Sequence, residues 1–268
     1  MNVLSLFDGI SCGQLALIRA GFKDFVYYAS EIDKNSIKIT QHNFPNTIQL
    51  GSVTDVDVSK LKDIGLLIGG SPCVNLSFAG KGKGMVTKEN EEIFELKRYL
   101  ELKSKGCEFE GSSYLFWEYI RILKDIRKYN PDVKFLLENV SMKKKHEEII
   151  TNTLGVEPIV INSSLVSAQN RVRLYWTNIP VSELQDKSIF IEDILDSEFD
   201  NKYWLKERNT ELLLKKVDIT NAPNIACIDV YNKKVKLDRK CPTLTLPHHN
   251  SIRLLQNGKI RKLTPNEC

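Results

Sequence analysis

Leu66-Leu67-Ile68-Gly69-Gly70-Ser71-Pro72-Cys73 is a short apolar run that ends in paired glycines and then presents a single thiol. Consecutive aliphatic residues suit a strand covered on both faces, since a strand with one wet face would alternate. Gly69 and Gly70 let a ligand or another backbone approach where side chains would obstruct it. Pro72 stiffens the turn that aims Cys73. The stretch therefore reads as a buried strand delivering a nucleophile to its exposed end. The competing reading is a small apolar residue in a packed core, the commonest fate of a free cysteine. These eight residues alone favour that plainer reading, and the balance rests on what stands elsewhere in the chain.

On the amino-terminal side, Val3 to Phe7 reads as a strand, Gln14 to Ala20 as a helix, Phe25 to Ser30 as a strand and Lys34 to Asn43 as a helix. Strand-like segments recur at Thr47 to Leu50, Gly65 to Ile68, Lys134 to Glu138 and Val156 to Ile161. Alternation of this kind predicts an α/β fold, a mostly parallel doubly wound sheet with helices on both faces. Ligands of such sheets bind beyond the carboxyl ends of the strands. Ala79 to Gly111 breaks the rhythm with Gly80, Gly82, Gly84 and the charged stretch Lys88 to Lys105, before Ser113 to Lys128 resumes a helical pattern. Two readings stand for that insertion: a mobile loop closing over Cys73, or a plain surface insertion with its own short helix. After about Asn178 the alternation fades into Lys-Lys pairs, turn residues and the run Pro242 to Pro247, which predicts a smaller, irregular lobe.

A chain of 268 residues can bury a sizeable core without a metal or a disulfide. Its six cysteines form no CxxC pair and no regular spacing, so no metal site is expected and a reducing compartment is the simpler reading. The amino terminus runs straight into a strand, and no run is long enough to span a bilayer, so a soluble, cytoplasmic protein away from membranes is expected. Charge is unevenly spread. Residues 201–268 hold 14 Lys and Arg against 6 Asp and Glu, a balance of +8, while the first 200 residues stand at −4. The basic end is a candidate polyanion surface, and a solvated lysine-rich face is the alternative.

Phe7-Asp8-Gly9-Ile10-Ser11-Cys12-Gly13 is a glycine-containing strand-to-helix turn whose backbone amides can face a small molecule. One strand and helix later, Ser30-Glu31-Ile32-Asp33 puts a carboxylate where it can accept hydrogen bonds from ribose hydroxyls. Together they suggest a nucleoside-containing cofactor, against the plain reading of a tight turn and a surface Glu. Leu136-Leu137-Glu138-Asn139-Val140 ends an apolar strand in a carboxylate, and in Gln169-Asn170-Arg171-Val172-Arg173 the alternation puts Gln169, Arg171 and Arg173 on one face. If these segments are neighbours in a parallel sheet, a thiol, a carboxyl group and two guanidiniums meet on one rim. Taken singly, Glu138 is equally a salt-bridge partner and the arginines a solvated edge.

In this order the motifs resemble the DNA (cytosine-5)-methyltransferases. The matching pieces are Phe7 to Gly13, Ser30-Glu31-Ile32, Gly70-Ser71-Pro72-Cys73, Glu138-Asn139-Val140, Gln169 to Arg173, and Arg261-Lys262-Leu263-Thr264-Pro265-Asn266-Glu267. They cover nearly the whole chain and look closest to the branch with animal de novo methyltransferases and related phage and bacterial enzymes. The resemblance implies the Rossmann-like fold of class I methyltransferases using S-adenosylmethionine. It implies transfer of a methyl group to carbon 5 of a flipped cytosine in double-stranded DNA, in settings such as restriction-modification. By the same resemblance Cys73 attacks carbon 6, Glu138 holds ring nitrogen 3 and the exocyclic amine, and Arg173 with Arg171 steadies the base or its phosphate. Phe7 packs on the adenine, Asp8, Gly9, Ile10, Ser11 and Cys12 wrap the methionine portion, Glu31 takes the ribose and Ile32 adds an apolar contact. Ser52 stands where the family usually has an acidic residue contacting the adenine amine, and Val53 supplies backbone contacts.

The expected division is a cofactor-binding catalytic domain at residues 1–177, a target-recognition lobe at 178–259, and the start of a return to the catalytic domain at 260–268. The family continues beyond the Arg-x-Leu-Thr-Pro-x-Glu segment with a further helix and a glycine-asparagine motif, which this sequence lacks. A second polypeptide supplying that motif is therefore one expectation. Two rivals remain: a truncated or split DNA-binding remnant without activity, and methylation of cytosine in RNA.

Overall fold

The computed structural model describes residues 1–77, 83–244 and 252–268. They form two compact units, Met1–Val160 with Arg173–Val181, and Ile161–Val172 with Ser182–Cys268. The first unit holds β1 (Asn2–Leu6), α1 (Cys12–Arg19), β2 (Tyr27–Ser30), α2 (Lys34–Asn43), β3 (Ile48–Gln49), β4 (Ile64–Gly69), α3 (Leu96–Ser104), α4 (Phe116–Arg127), β5 (Lys134–Asn139) and α5 (Lys144–Leu154), with the first half of β6 (Ile159–Asn162) and all but the first residue of β7 (Val172–Thr177). The sheet order is β3-β2-β1-β4-β5-β7-β6. β1 pairs in parallel with both β2 and β4, and β4 with β5. The chain thus winds one way from β1 through β3 and the other way from β4 through β5, so the order reverses between β1 and β4, where such sheets bind ligands.

The apolar reading of Leu66 to Ile68 is matched by burial on both faces: Leu67 is fully buried among Leu4, Leu6, Phe135 and Leu137, while Leu66 is nearly so in a separate cluster with Val3, Tyr27 and Ala29, against which the partly buried Ile68 packs. α4 sits on this core through Phe116, Trp117, Ile120, Leu123 and Ile126. Gly69 follows from the same packing. A Cβ there would lie 2.9 Å from the Leu6 carbonyl oxygen and 3.3 Å from the Tyr119 ring.

Three expectations change. β7 runs antiparallel to β5, with Glu138 opposite Tyr175 and Asn139 opposite Leu174, so the carboxylate and arginine segments are not parallel neighbours. Strand structure begins only at Val172, leaving Gln169 and Arg171 in the preceding turn, where the Ser163 amide donates to the Arg171 carbonyl. The insertion carries a helix that is not merely superficial: Leu96, Tyr99 and Leu102 of α3 are buried, as are Met85, Val86 and Ile93. Ala79, Gly80 and Gly82 of that insertion lie outside the described residues, as do Thr245, Leu246 and Pro247 of the proline-bounded run.

The second unit is more regular than expected. It contains α6 (Glu207–Leu214), β8 (Ile225–Asp229), β9 (Lys234–Val235), β10 (Ile252–Gln256) and β11 (Lys259–Arg261). These strands form a sheet of order β11-β10-β8-β9, antiparallel at each pair. Alternation along β10 feeds two small cores: Ile252 and Leu254 join Ile191, Cys227 and Cys241, while Leu255 joins Leu213, Val217, Ile228 and Ile260. Residues 260–268 also lie in this unit. There the fully buried Arg261 makes two 2.7 Å contacts to Glu267, which also accepts from the Asp196 and Thr264 amides. All six cysteines are free. No helix among the described residues is long and apolar enough to cross a membrane.

A charged cluster fastens α3 to α4. Glu118 is fully buried and accepts from the Tyr99 hydroxyl, Lys103 and Arg121, each at 2.6 Å. Burial pushes its carboxyl up, but the donors Lys103, Tyr99 and Arg121 outweigh it and hold the group below the usual range. Its contribution is therefore full above about pH 4.3, the unfolded value, and is lost as pH falls through the folded one. Glu118→Ala, which removes the buried carboxylate shared by Tyr99, Lys103 and Arg121, is expected to cost about 3 kcal/mol in urea unfolding at neutral pH. The difference from wild type should shrink in acid.

Candidate active site

At the end of β1 the chain turns sharply: Phe7, Gly9 and Ser11 all have positive φ. Two carboxylates hold this turn. Asp8 accepts from the Tyr27 hydroxyl at 2.7 Å and from the Ser11 hydroxyl, and Ser11 also contacts the Thr40 hydroxyl at 3.1 Å. Burial and then the Asp8 charge push the Tyr27 phenol far up, keeping it a proton donor. Glu31, at the end of β2, accepts from the Gly9 amide at 2.7 Å with Oε2 and from the Ile32 and Asp33 amides at 2.8 and 2.9 Å with Oε1. A carboxylate has about four acceptor sites, so Glu31 shapes the turn and retains capacity on Oε2 for one further donor.

A cleft of about 350 Å³ opens there, lined by Phe7, Ser30, Glu31, Ile32, Gly51, Ser52, Val53, Pro72, Ser112 and Leu115. It holds the expected Phe7, Glu31, Ile32, Ser52 and Val53. Asp8, Gly9, Ile10, Ser11 and Cys12 do not line it: Ser11 is buried, Ile10 and Cys12 are exposed, and Asp8 is committed to Tyr27 and Ser11. The Ser52 hydroxyl is tied into its own turn by the Thr54 amide at 3.3 Å and the Thr54 hydroxyl at 2.7 Å. Ser112 and Leu115 escape a sequence reading because the insertion separates them from every other lining residue; only the fold brings them near. Gly51 carries the one available signal, a glycine that here takes φ +75°.

Beyond β4 the backbone reaches Cys73 through Gly70, Ser71 and Pro72, then makes a helical turn in which the Leu76 and Ser77 amides donate to the Cys73 carbonyl. Cys73 is partly exposed as a residue, unlike Cys227 and Cys241, which are buried. Asn139, at the end of β5, donates to the Ser71 carbonyl at 3.2 Å and the Ser71 hydroxyl at 3.0 Å. The Asn75 amide donates to Ser113 at 3.0 Å, and the Asn75 side chain to the Glu110 carbonyl at 2.9 Å. Asn139 stood in the Glu138-Asn139-Val140 motif without a role and Asn75 went unmarked in the sequence, yet both pin the loop that carries the thiol.

Glu138 projects from the same rim. Arg173 Nε lies 2.8 Å from its Oε1. Its other oxygen faces Gly70, where a Cβ would stand only 3.1 Å from Oε2. The structure thus brings Glu138 and Arg173 together, on a rim whose next strand end leads to Cys73. Arg171 belongs to the second unit, where it lines a cavity with Gln169, Cys241 and Glu267. Among the described residues no cluster of three or more His, Cys, Asp or Glu could hold a metal.

Comparison with known proteins gives a family model, C-5 cytosine-specific DNA methylase, matching residues 1–268. The chain belongs to that family. Within it, the chain is 28% identical to Orphan methyltransferase M.SPRI of Bacillus phage SPR, over 81% of its own length and 55% of the relative's. It is 24% identical to Type II methyltransferase M.HhaI of Haemophilus parahaemolyticus, over 100% of its length and 82% of that protein's. Against M.SPRI and M.Rho11sI of Bacillus phage rho11s the chain spans about half the relative's length. Among solved structures, S. pombe Dnmt2 matches with TM-score 0.52 and a mutant of Spodoptera frugiperda DNMT2 with 0.51, each at 18% identity over 81% of this chain and 68% or 66% of the other. These two matches show that the chain shares their mixed α/β fold with its mostly parallel central sheet.

The packing of the cofactor-side turn is open to a direct check. A Cβ at Gly13 would fall 2.4 Å from Ile68 Cδ1 and 2.9 Å from the Tyr27 hydroxyl. Gly13→Ala is expected to destabilise the protein by about 1–3 kcal/mol, read as a lowered urea midpoint with unchanged slope.

Proposed function

We propose that this chain transfers a methyl group from S-adenosylmethionine to carbon 5 of cytosine in double-stranded DNA through a covalent adduct on Cys73. The observation that carries the reading is the Glu138–Arg173 pair at the carboxyl end of β5, beside the strand end that leads to a partly exposed Cys73. The nearby cleft fits the cofactor. Glu31 keeps an acceptor site for a ribose hydroxyl, and Phe7, Ile32, Val53 and Leu115 offer apolar surface to a purine. When bound, S-adenosylmethionine supplies a methyl group made electrophilic by its sulfonium.

Carbon 5 of cytosine is a poor nucleophile inside an aromatic ring, and the base must leave the stack before side chains can reach it. Addition of the Cys73 sulfur to carbon 6 breaks the 5,6 double bond and moves its electrons towards carbon 5 and the ring amidine. Glu138 holds the edge of the base that gains negative charge, through a hydrogen bond to nitrogen 3 and one from the exocyclic amine. Arg173 fixes the Glu138 carboxyl through Oε1, leaving Oε2 beside the side-chain-free Gly70. After carbon 5 has been methylated, loss of its proton to a base expels the Cys73 thiolate and restores the ring. Arg171 is assigned to the nucleic-acid backbone, and the basic residues of 201–268 to phosphates on either side.

Tritium from labelled S-adenosylmethionine should enter mixed-sequence duplex DNA with the wild-type chain and fall to background with Cys73→Ala. Glu138→Gln should lose about 100-fold or more in turnover while duplex binding is retained. Label entering tRNA but not duplex would move the reading to an RNA substrate, and duplex binding with no label would leave a DNA-binding protein without methyl transfer.

A further inference from the structure

The second unit holds a group of cations that its own structure does not neutralise. Arg253 on β10 is half-buried, and among the described residues its guanidinium has one partner, the Ile252 carbonyl oxygen of its own strand at 2.7 Å. Removal from water alone pulls this group down from its ordinary value, with no carboxylate acting against that. Continuing the β10–β11 register, in which Leu254 faces Arg261 and Leu255 faces Ile260, sets Lys262 opposite Arg253. Like charges facing across an antiparallel pair repel. Lys216, just past the end of α6, joins them in lining a pocket of about 440 Å³ with Asn209, Leu205 and Leu213, and no acidic residue lines it.

Several other cations of this unit do have acidic partners. Arg261 has Glu267, Lys236 has Asp238, and Arg239 has Glu192. Arg253 shares its sheet face with Leu255, Ile228 and Ile260, so the pocket opens at the margin of the apolar core under α6. A partly desolvated guanidinium facing another cation is a standing cost to the fold. Such a cost at the edge of a well-packed core is the mark of a site kept for a ligand.

We infer that Arg253, Lys262 and Lys216 form a phosphate-binding pocket, and that its occupant is a backbone phosphate of duplex DNA outside the target cytosine. The guanidinium fork contacts two phosphate oxygens, the two ammonium groups add charge, and the Asn209 amide donates a further hydrogen bond. The choice of a duplex phosphate rests on the methyltransferase reading above; the choice of a phosphate group does not. Because such contacts carry no base information, the pocket raises affinity for every sequence alike.

The test has two arms, using the full chain and Arg253→Gln, Lys262→Gln and Lys216→Gln. In the first, inorganic phosphate is titrated during thermal unfolding: it raises the wild-type melting temperature and leaves the variants unmoved. Without phosphate, Lys262→Gln melts above wild type, because the cross-strand repulsion is gone. In the second, affinity for mixed-sequence duplex is measured against salt, and each variant flattens the slope of log K against log salt by about 0.9 for every phosphate it no longer neutralises. Lys216 lies outside helix and strand and is exposed, so Lys216→Gln carries both arms should Arg253→Gln fail to fold. A phosphate effect and a salt slope both indifferent to the three residues overturn the pocket. Phosphate stabilisation that needs Arg253, with an unchanged duplex slope, overturns the duplex as occupant and assigns a free phosphate. Failure of the wild type to bind duplex at all counts against the methyltransferase reading, while the phosphate arm still decides the pocket.

Discussion

The contact between Arg173 and Glu138 exists because one strand of the sheet runs backwards. Functional groups in a parallel sheet gather at the carboxyl ends of its strands, and Arg173 is the second residue of β7. Were β7 parallel to β5, Arg173 would sit at the amino-end rim, a strand's length from Glu138. Antiparallel pairing sets Glu138 opposite Tyr175 and so makes Arg173 its diagonal neighbour on the same face, within reach of a long side chain. The 2.8 Å contact of Nε with Oε1 follows, and it orients a carboxyl group whose other oxygen meets a glycine.

The same rim shows how much of a site is its support. Asn139 ties the Cys73 loop to β5, Asn75 ties it to the segment that precedes α4, and Glu31 ties the β1 turn to β2, each through backbone amides or carbonyls. Loops beyond a parallel sheet have no ladder of their own, so their polar groups must be satisfied by side chains from neighbouring strand ends. In the second unit the buried Arg261–Glu267 pair fills that role, gathering the Asp196, Thr264 and Gln256 segments around β11. Arg253, in contrast, is left without an acidic partner among the described residues.

The mostly parallel sheet and the segments that carry the candidate site were legible because their signals are local. Apolar runs ending in Gly69-Gly70 or Glu138-Asn139 declare both a strand and its functional end, and the glycine turn after β1 is read from a handful of neighbouring residues. What escaped has non-local causes. The direction of β7 is set by connection and pairing, which alternation in Gln169 to Arg173 does not encode, and Arg171 and Arg173 fall in different units. Asp8 has the composition of a ligand contact, and only the fold shows that Tyr27 and Ser11 use its carboxylate. The four-stranded sheet of the second unit was read as irregular because its strands are short and widely spaced, with Arg253 on β10 paired to Ile228 on β8.

The central claim, that Cys73 forms a bond to carbon 6 of an extruded cytosine held by Glu138, has a direct measurement. Duplex DNA in which cytosine carries fluorine at carbon 5 blocks the last step, since no proton remains there to be removed, and the adduct persists. After incubation with S-adenosylmethionine and proteolysis, mass spectrometry should find the modified nucleotide on the peptide containing Cys73, with much less of it for Glu138→Gln. An adduct on Cys12 or another cysteine, or none while methylation of unfluorinated duplex proceeds, would contradict the account.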